Sequence, residues 1–268
     1  MIIRSTLLWV LAFLLTTASG VYQRITGPTY PVKGVAVVGD QEVRFRLPRS
    51  HGGAGDADIR LSVPKRVVSG RLEFRRFQSY DSWNRQALQR EGDALVARIP
   101  HQPPAGKVMY RVLLWGDRGV PVALTPSPVI IRFRGGVPAW VLVSHIVVIF
   151  AGMLLSTRTG LEALRQGPRT RRLTIWTISC LIVGGLILGP IVQKYAFDAF
   201  WTGGPFGHDL TDNKLAVVVL FWAVALWRGR KSPSGRGWVI AASLITLVVW
   251  LIPHSLLGSE LDYTQTPP

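Results

Sequence analysis

What most constrains this chain is where its long apolar runs fall. From Pro138 onward they alternate with short polar connectors: Ala139–Ser156, Leu173–Val192, Leu215–Trp227 and Trp238–Leu257. One more run, Ser5–Val21, comes after Arg4 near the start. A helix rises about 1.5 Å per residue, so about 20 apolar residues match a hydrocarbon core of roughly 30 Å. Between Tyr22 and Gly136 the chain is instead polar, charged and punctuated by Pro and Gly. The pattern predicts an α+β membrane protein with three parts. Residues 1–22 form an N-terminal signal anchor or signal peptide, 23–136 an extracytoplasmic antiparallel β-sandwich of the immunoglobulin-like kind, and 137–268 a transmembrane bundle with a C-terminal tail. The four bundle helices are expected at about 139–156, 173–192, 212–227 and 238–257.

The first run supports two readings. Leu7–Leu15 makes an h-region, and Ala18-Ser19-Gly20 offers a small-residue cleavage site. A helix of about 18 residues also reaches roughly 27 Å, enough for an anchor. Both readings export residues 23–136.

In the exported part, segments of strand character recur: Gly34–Val38, Glu42–Leu47, Asp58–Val63, Val68–Phe77, Ala94–Ile99, Lys107–Trp115, Val120–Leu124 and Val129–Phe133. Several alternate, as in Val43-Arg44-Phe45-Arg46-Leu47, which puts apolar side chains on one face and arginines on the other. Turn signals such as Gly39-Asp40, Pro103-Pro104 and Gly116-Asp117 separate them. Short strands at this density point to a sandwich. Cys180 is the single cysteine, so no intrachain disulfide supports the domain.

Charge orients the bundle. Segments 157–172 and 228–236 each carry +4, whereas 193–214 carries −1 and the tail after Leu257 carries −2. Basic connectors belong on the cytoplasmic side. The expected location is therefore a bacterial inner membrane, with the β domain and the C-terminus periplasmic. Leu215–Trp227 holds 13 residues. That gives only about 20 Å of helix, so the helix is expected to extend back through Asp212-Asn213-Lys214.

A net charge of +16 on 268 residues first suggests nucleic acid, but the basic residues sit in membrane connectors and on strand faces, so nucleic acid is not an expected partner. The 19 Lys/Arg against nine Asp/Glu in residues 24–134 suit anionic lipid headgroups or an acidic protein partner, or a plain solvated surface.

No P-loop, Rossmann fingerprint, His-Glu-x-x-His, Cys-x-x-Cys or Gly-x-Ser-x-Gly motif is present. A topological coincidence remains. His145, His208 and His254 map to the outer half of the bundle, with Asp198, Asp209, Asp212, Glu260 and Asp262 on the same side. His145 lies seven residues past Pro138, deep enough to count as a functional candidate. His145, His208 and His254, with Asp209 or Glu260 adding a carboxylate, make a candidate transition-metal set. His145 and His254 alone could ligate haem. The competing account makes each histidine an interhelical hydrogen bonder on seams of small and hydroxyl residues: Gly152 and Ser156 on one helix, Ser243 and Thr246 on another. The aromatic, glycine-rich stretch Tyr195–His208 likewise reads as an interfacial belt, with Thr211 or Asp212 capping the next helix. The leading functional expectation is an accessory or assembly protein that docks a partner through the sandwich and outer loops. A metal or haem redox protein and a transporter component are the alternatives.

Overall fold

The computed structural model describes residues 2–64, 69–117, 119–207, 209–229, 235–254, 258 and 260–264. The chain is α+β and divides into two compact units: Met1–Pro28 with Val137–Ser259, and Thr29–Gly136 with Glu260–Pro268.

Among the described residues, the β unit holds three sheets. Strands β1 (Val32–Val38) and β2 (Gln41–Leu47) form a hairpin across Gly39-Asp40. Gly39 takes φ +63°, a left-handed conformation that glycine adopts without strain. The largest sheet contains β3 (Ser50–Gly52), β5 (Ser69–Arg76), β6 (Asn84–Ala87), β9 (Lys107–Trp115), β10 (Pro121–Ala123) and β11 (Val129–Arg134), in the order β3-β11-β9-β5-β6 with β10 also on β9. Its β3–β11 pair is parallel. The third sheet is β4 (Ala57–Ser62), β8 (Ala94–Ile99) and β7 (Gln89–Glu91), in the order β4-β8-β7.

Alternation produces the core. Ile59 and Leu61 from β4, Val112 and Leu114 from β9, and Ile131 and Phe133 from β11 are buried together in one cluster. Tyr110 joins them, and its hydroxyl donates to Pro48 O at 2.7 Å. Burial pushes that phenol well above its ordinary pKa. Strands β3, β6 and β7 escape the sequence reading. Every residue of β6 and β7 is exposed, so these strands carry no apolar alternation to detect. The tail joins this unit: Glu260 accepts from Lys107 and from Gln78 (3.1 Å), and the Tyr263 ring lies 4.5 Å from the Arg76 guanidinium.

The helical unit comprises α1 (Ile2–Thr26), α2 (Ala139–Leu164), α3 (Thr170–Leu181), a π-helical segment (Ile182–Leu188), α4 (Gly189–Phe197), α5 (Leu210–Arg228) and α6 (Gly235–Leu251). Among the described residues, four helical stretches are long and apolar enough to cross a membrane: Ser5–Thr26, Ala139–Leu164, Thr170–Phe197 and Leu210–Arg228. The shorter α6 has 17 residues and is also apolar.

Several boundaries differ from the expectation: α6 spans Gly235–Leu251 rather than 238–257, and residues 255–257 lie outside the described residues. α2 runs to Leu164 rather than Ser156, because Arg158 and Glu162 pair at 2.8 Å one turn apart and both are fully buried. α5 starts at Leu210, ahead of the 212 expected, and Asp209 caps it by accepting from Thr211 N at 2.8 Å. The expected 173–192 helix becomes three consecutive segments over Thr170–Phe197.

Small and hydroxyl residues bring the helices together. A Cβ on Gly160 would lie 2.3 Å from Ser243 Oγ, which donates to Ser156 O at 3.0 Å. Thr159 and Thr177 meet hydroxyl to hydroxyl at 3.1 Å. Trp222, fully buried, donates from Nε1 to Thr246 Oγ1 at 2.8 Å.

Candidate functional site

The π-helical segment organises the site. Its wider turn sends the Gly189 N–H to Gly184 O, five residues back. Such segments concentrate at functional positions. Its two glycines admit neighbours closely. A Cβ on Gly184 would lie 2.9 Å from Ile149 N of α2, and one on Gly185 would lie 2.4 Å from Leu215 Cδ1 of α5. Backbone contact with α2 brings Gly184 O within 2.8 Å of His145 Nδ1. A carbonyl only accepts, so His145 Nδ1 carries the proton. In the neutral ring, Nε2 keeps its lone pair. A fixed tautomer of this kind is also how proteins prepare an imidazole to act as an acceptor or ligand.

His254 comes after the end of α6. The Gln23 amide of α1 donates to Trp250 O at 2.7 Å and reaches His254 Nδ1 at 3.3 Å. With Nδ1 accepting, the His254 proton sits on Nε2, the opposite tautomer from His145. The His254 ring also meets the Trp250 ring edge-on at 5.8 Å.

Lys214 is 7 % exposed on α5 and donates to Ile252 O (3.0 Å) and Pro253 O (3.4 Å), tying α5 to the end of α6. An ammonium has three protons, and two carbonyls take two of them. Asp212, in the first turn of α5, gathers the preceding loop. Its Oδ2 accepts from Thr202 N (2.7 Å), Gly203 N (3.0 Å) and Gln193 Nε2 (3.2 Å). Asn213 Oδ1 accepts from Gly204 N at 2.7 Å. The loop is therefore held by its own backbone amides on the first turn of α5. The capping role expected of Thr211 or Asp212 falls to Asp209.

These side chains border one cavity of about 230 Å³ within the helical unit. Ile149, Leu181, Leu215, Val218, Val249 and Trp250 form much of its apolar wall. Its polar wall includes His145, Gln193, Asp209, Asp212, Lys214 and His254.

The structure thus brings together three of the five residues proposed as metal ligands, His145, His254 and Asp209. Glu260 belongs to the β unit, paired with Lys107. His208 lies outside the described residues. Among the described residues, no three His, Cys, Asp or Glu side chains are arranged to hold a metal ion. Sequence reasoning did not find the roles of Lys214, Gln193 and the Gly184-Gly185 pair. The signal available was the pair of adjacent glycines inside an apolar run, one helix away from a lone histidine. Comparison with family models, curated proteins and solved structures finds no match to this chain, so the site is argued from its own geometry.

Proposed function

We propose that this chain is a multi-pass inner-membrane protein whose helical unit binds a small amphiphilic ligand at the polar end of its cavity. The membrane reading rests on an inside-out distribution. Leu7, Phe13, Val147, Leu186, Leu220 and Leu244 are exposed on the helices, while Ser156, Arg158, Thr159, Glu162, Thr177 and Thr246 are buried between them. Lipid tolerates the first set, and interhelical hydrogen bonding explains the second. The charge pattern of the connectors favours a periplasmic position for the β unit and the tail. The β unit reads as an immunoglobulin-like sandwich because one buried cluster draws on strands of all three sheets. Packing of α1 on the bundle, through Gln23 on Trp250 O and Gly20 beside Phe150, supports the anchor reading of residues 1–22.

The observation that carries the ligand reading is the cavity itself, apolar over most of its wall and bordered by an imidazole whose tautomer is fixed by Gly184. Apolar pockets with a few convergent polar groups are the ordinary form of ligand sites. The test is mass spectrometry of organic extracts from the full-length protein purified in detergent, compared with Val218→Phe, which fills the cavity. A co-purifying small molecule present in the first and depleted in the second is expected. Identical extracts from two equally folded proteins would refute the reading.

A transition metal or haem is the second reading, favoured by His145 and His254 on the wall of one cavity. Metal analysis and an optical spectrum of the same preparation decide it. Partner docking by the β unit remains a proposal too. The face it would use is where Arg71, Arg85 and Arg111 converge on buried Glu73, leaving an arginine excess at the surface.

A further inference from the structure

Resting on the cavity reading above, we infer that the ligand is a neutral hydroxylated ring on an apolar tail, the chemical class of a quinol. Three observations narrow the class to this one.

Formal charge comes first. Lys214 contributes one positive charge to the cavity wall, and Asp209 and Asp212 contribute two negative charges. An anionic head, such as a phosphate or a fatty-acid carboxylate, meets both carboxylates. A cationic head meets the ammonium. In a low-dielectric setting a like charge at contact distance is heavily penalised, so a neutral head avoids both conflicts.

Hydrogen-bonding capacity comes second. With Nδ1 committed to Gly184 O, His145 offers an acceptor at Nε2. His254 offers an N–H at Nε2, because its Nδ1 faces the Gln23 amide. Lys214 retains one N–H after bonding to Ile252 O and Pro253 O. A matching ligand needs a hydroxyl to donate to His145 and an oxygen to accept from Lys214 or His254. A phenolic hydroxyl, with a pKa of about 10 like that of tyrosine, is a much stronger donor to imidazole than an aliphatic alcohol. A ring bearing two such oxygens meets both requirements at once.

Size and wall chemistry come third. At about 230 Å³ the cavity is smaller than a drug-sized pocket. It takes a ring head rather than a whole lipid. Phe197 and Trp250 in the lining offer aromatic surface to a ring.

The test uses full-length protein in detergent under anaerobic conditions, with calorimetric titration of three probes: a decyl-substituted benzoquinol, its dimethyl ether and decyl phosphate. Saturable binding of the quinol is expected, with the ether at least about ten-fold weaker, equivalent to about 1.4 kcal/mol, and decyl phosphate weaker still. His145→Ala should lower quinol affinity about ten-fold and leave ether affinity unchanged. Val218→Phe should abolish binding of every probe. If the ether binds as tightly as the quinol and Val218→Phe removes both, the quinol class is wrong and the cavity reading stands. If Val218→Phe leaves binding intact, or no probe binds, both fall.

Discussion

Glu162 sits in α2 with no exposed surface, and its carboxylate is 2.8 Å from Arg158 Nη1 and 3.3 Å from Arg165 Nε. Arg158 is equally buried and also lies over the Trp9 ring of α1 at 5.4 Å. Replacing Glu162 by alanine removes the counter-charge and leaves the Arg158 guanidinium buried without it. Breaking a buried pair from one side costs about 3–5 kcal/mol. Arg165 has 31 % side-chain exposure and can turn to water, so its share is small. For a chain of this size each kcal/mol moves the melting temperature by about 2–4 °C, so Glu162→Ala should melt roughly 6–20 °C lower. Arg158→Met should fall at the lower end of that range, because it leaves the buried carboxylate only the partly exposed Arg165. The double variant Arg158→Met/Glu162→Leu removes both charges and both desolvation penalties, and should recover to within about 1 kcal/mol of the native protein. Thermal unfolding of full-length protein, followed by circular dichroism at constant detergent, reads all three. A double variant as unstable as either single would refute the reasoning, since the pair would then matter for packing rather than charge.

Gly184→Ala should destabilise the protein and weaken ligand binding, although Gly→Ala within a helix ordinarily stabilises by up to about 1 kcal/mol. The sign inverts because the added Cβ meets Ile149 N at 2.9 Å, and a rise in melting temperature would count against the α2 contact. In the β unit, the hydrogen bonds from Arg76 hold the Asp81 carboxyl below its ordinary value of 3.8. The stability it contributes is present above that pH and lost as pH falls through the lowered value. Asp81→Asn should therefore flatten the acid limb of stability between about pH 5 and pH 2 while changing little near neutrality; a parallel shift at all pH values would assign Asp81 a packing role. With Cys180→Ser as background, a membrane-impermeant thiol reagent applied to intact cells should label Thr264→Cys and spare Ser232→Cys, and labelling at position 232 would reverse the topology.

The apolar periodicities were legible because they obey single rules. Segments of strand character, several of them alternating, overlap eight of the eleven strands among the described residues, and the long runs overlap the helices described, although α2 continues well past the end of its apolar run. The failures share a cause, which is partners distant in sequence. Arg158 and Glu162 resemble connector residues until the helices packed around α2 cover them. Strands β6 and β7 show no pattern because their ladder partners, β5 and β8, hold them without burying their side chains. The tail reads as a solvated end, but Glu260 and Tyr263 attach to Lys107 and Arg76, distant strand residues that no local pattern connects to it.

The site divides along the same line. The sequence could nominate His145, because an ionisable side chain inside an apolar helix demands an explanation. It could not say which ring nitrogen is committed, since that depends on the carbonyl of a π-helical glycine 39 residues on. Nor could spacing show that Asp212 is engaged with the backbone of Thr202 and Gly203 while Lys214 reaches across to Ile252 and Pro253. Those contacts assign the polar cluster two tasks. The carboxylates Asp209 and Asp212 fix the loop and the start of α5, as their backbone partners require. His145, His254 and Lys214 keep hydrogen-bonding positions after these contacts with the protein, so a ligand in this mainly apolar cavity would meet them. Removing an Asp212 contact should therefore loosen the loop, whereas removing His145 should leave the fold in place and change what the cavity holds.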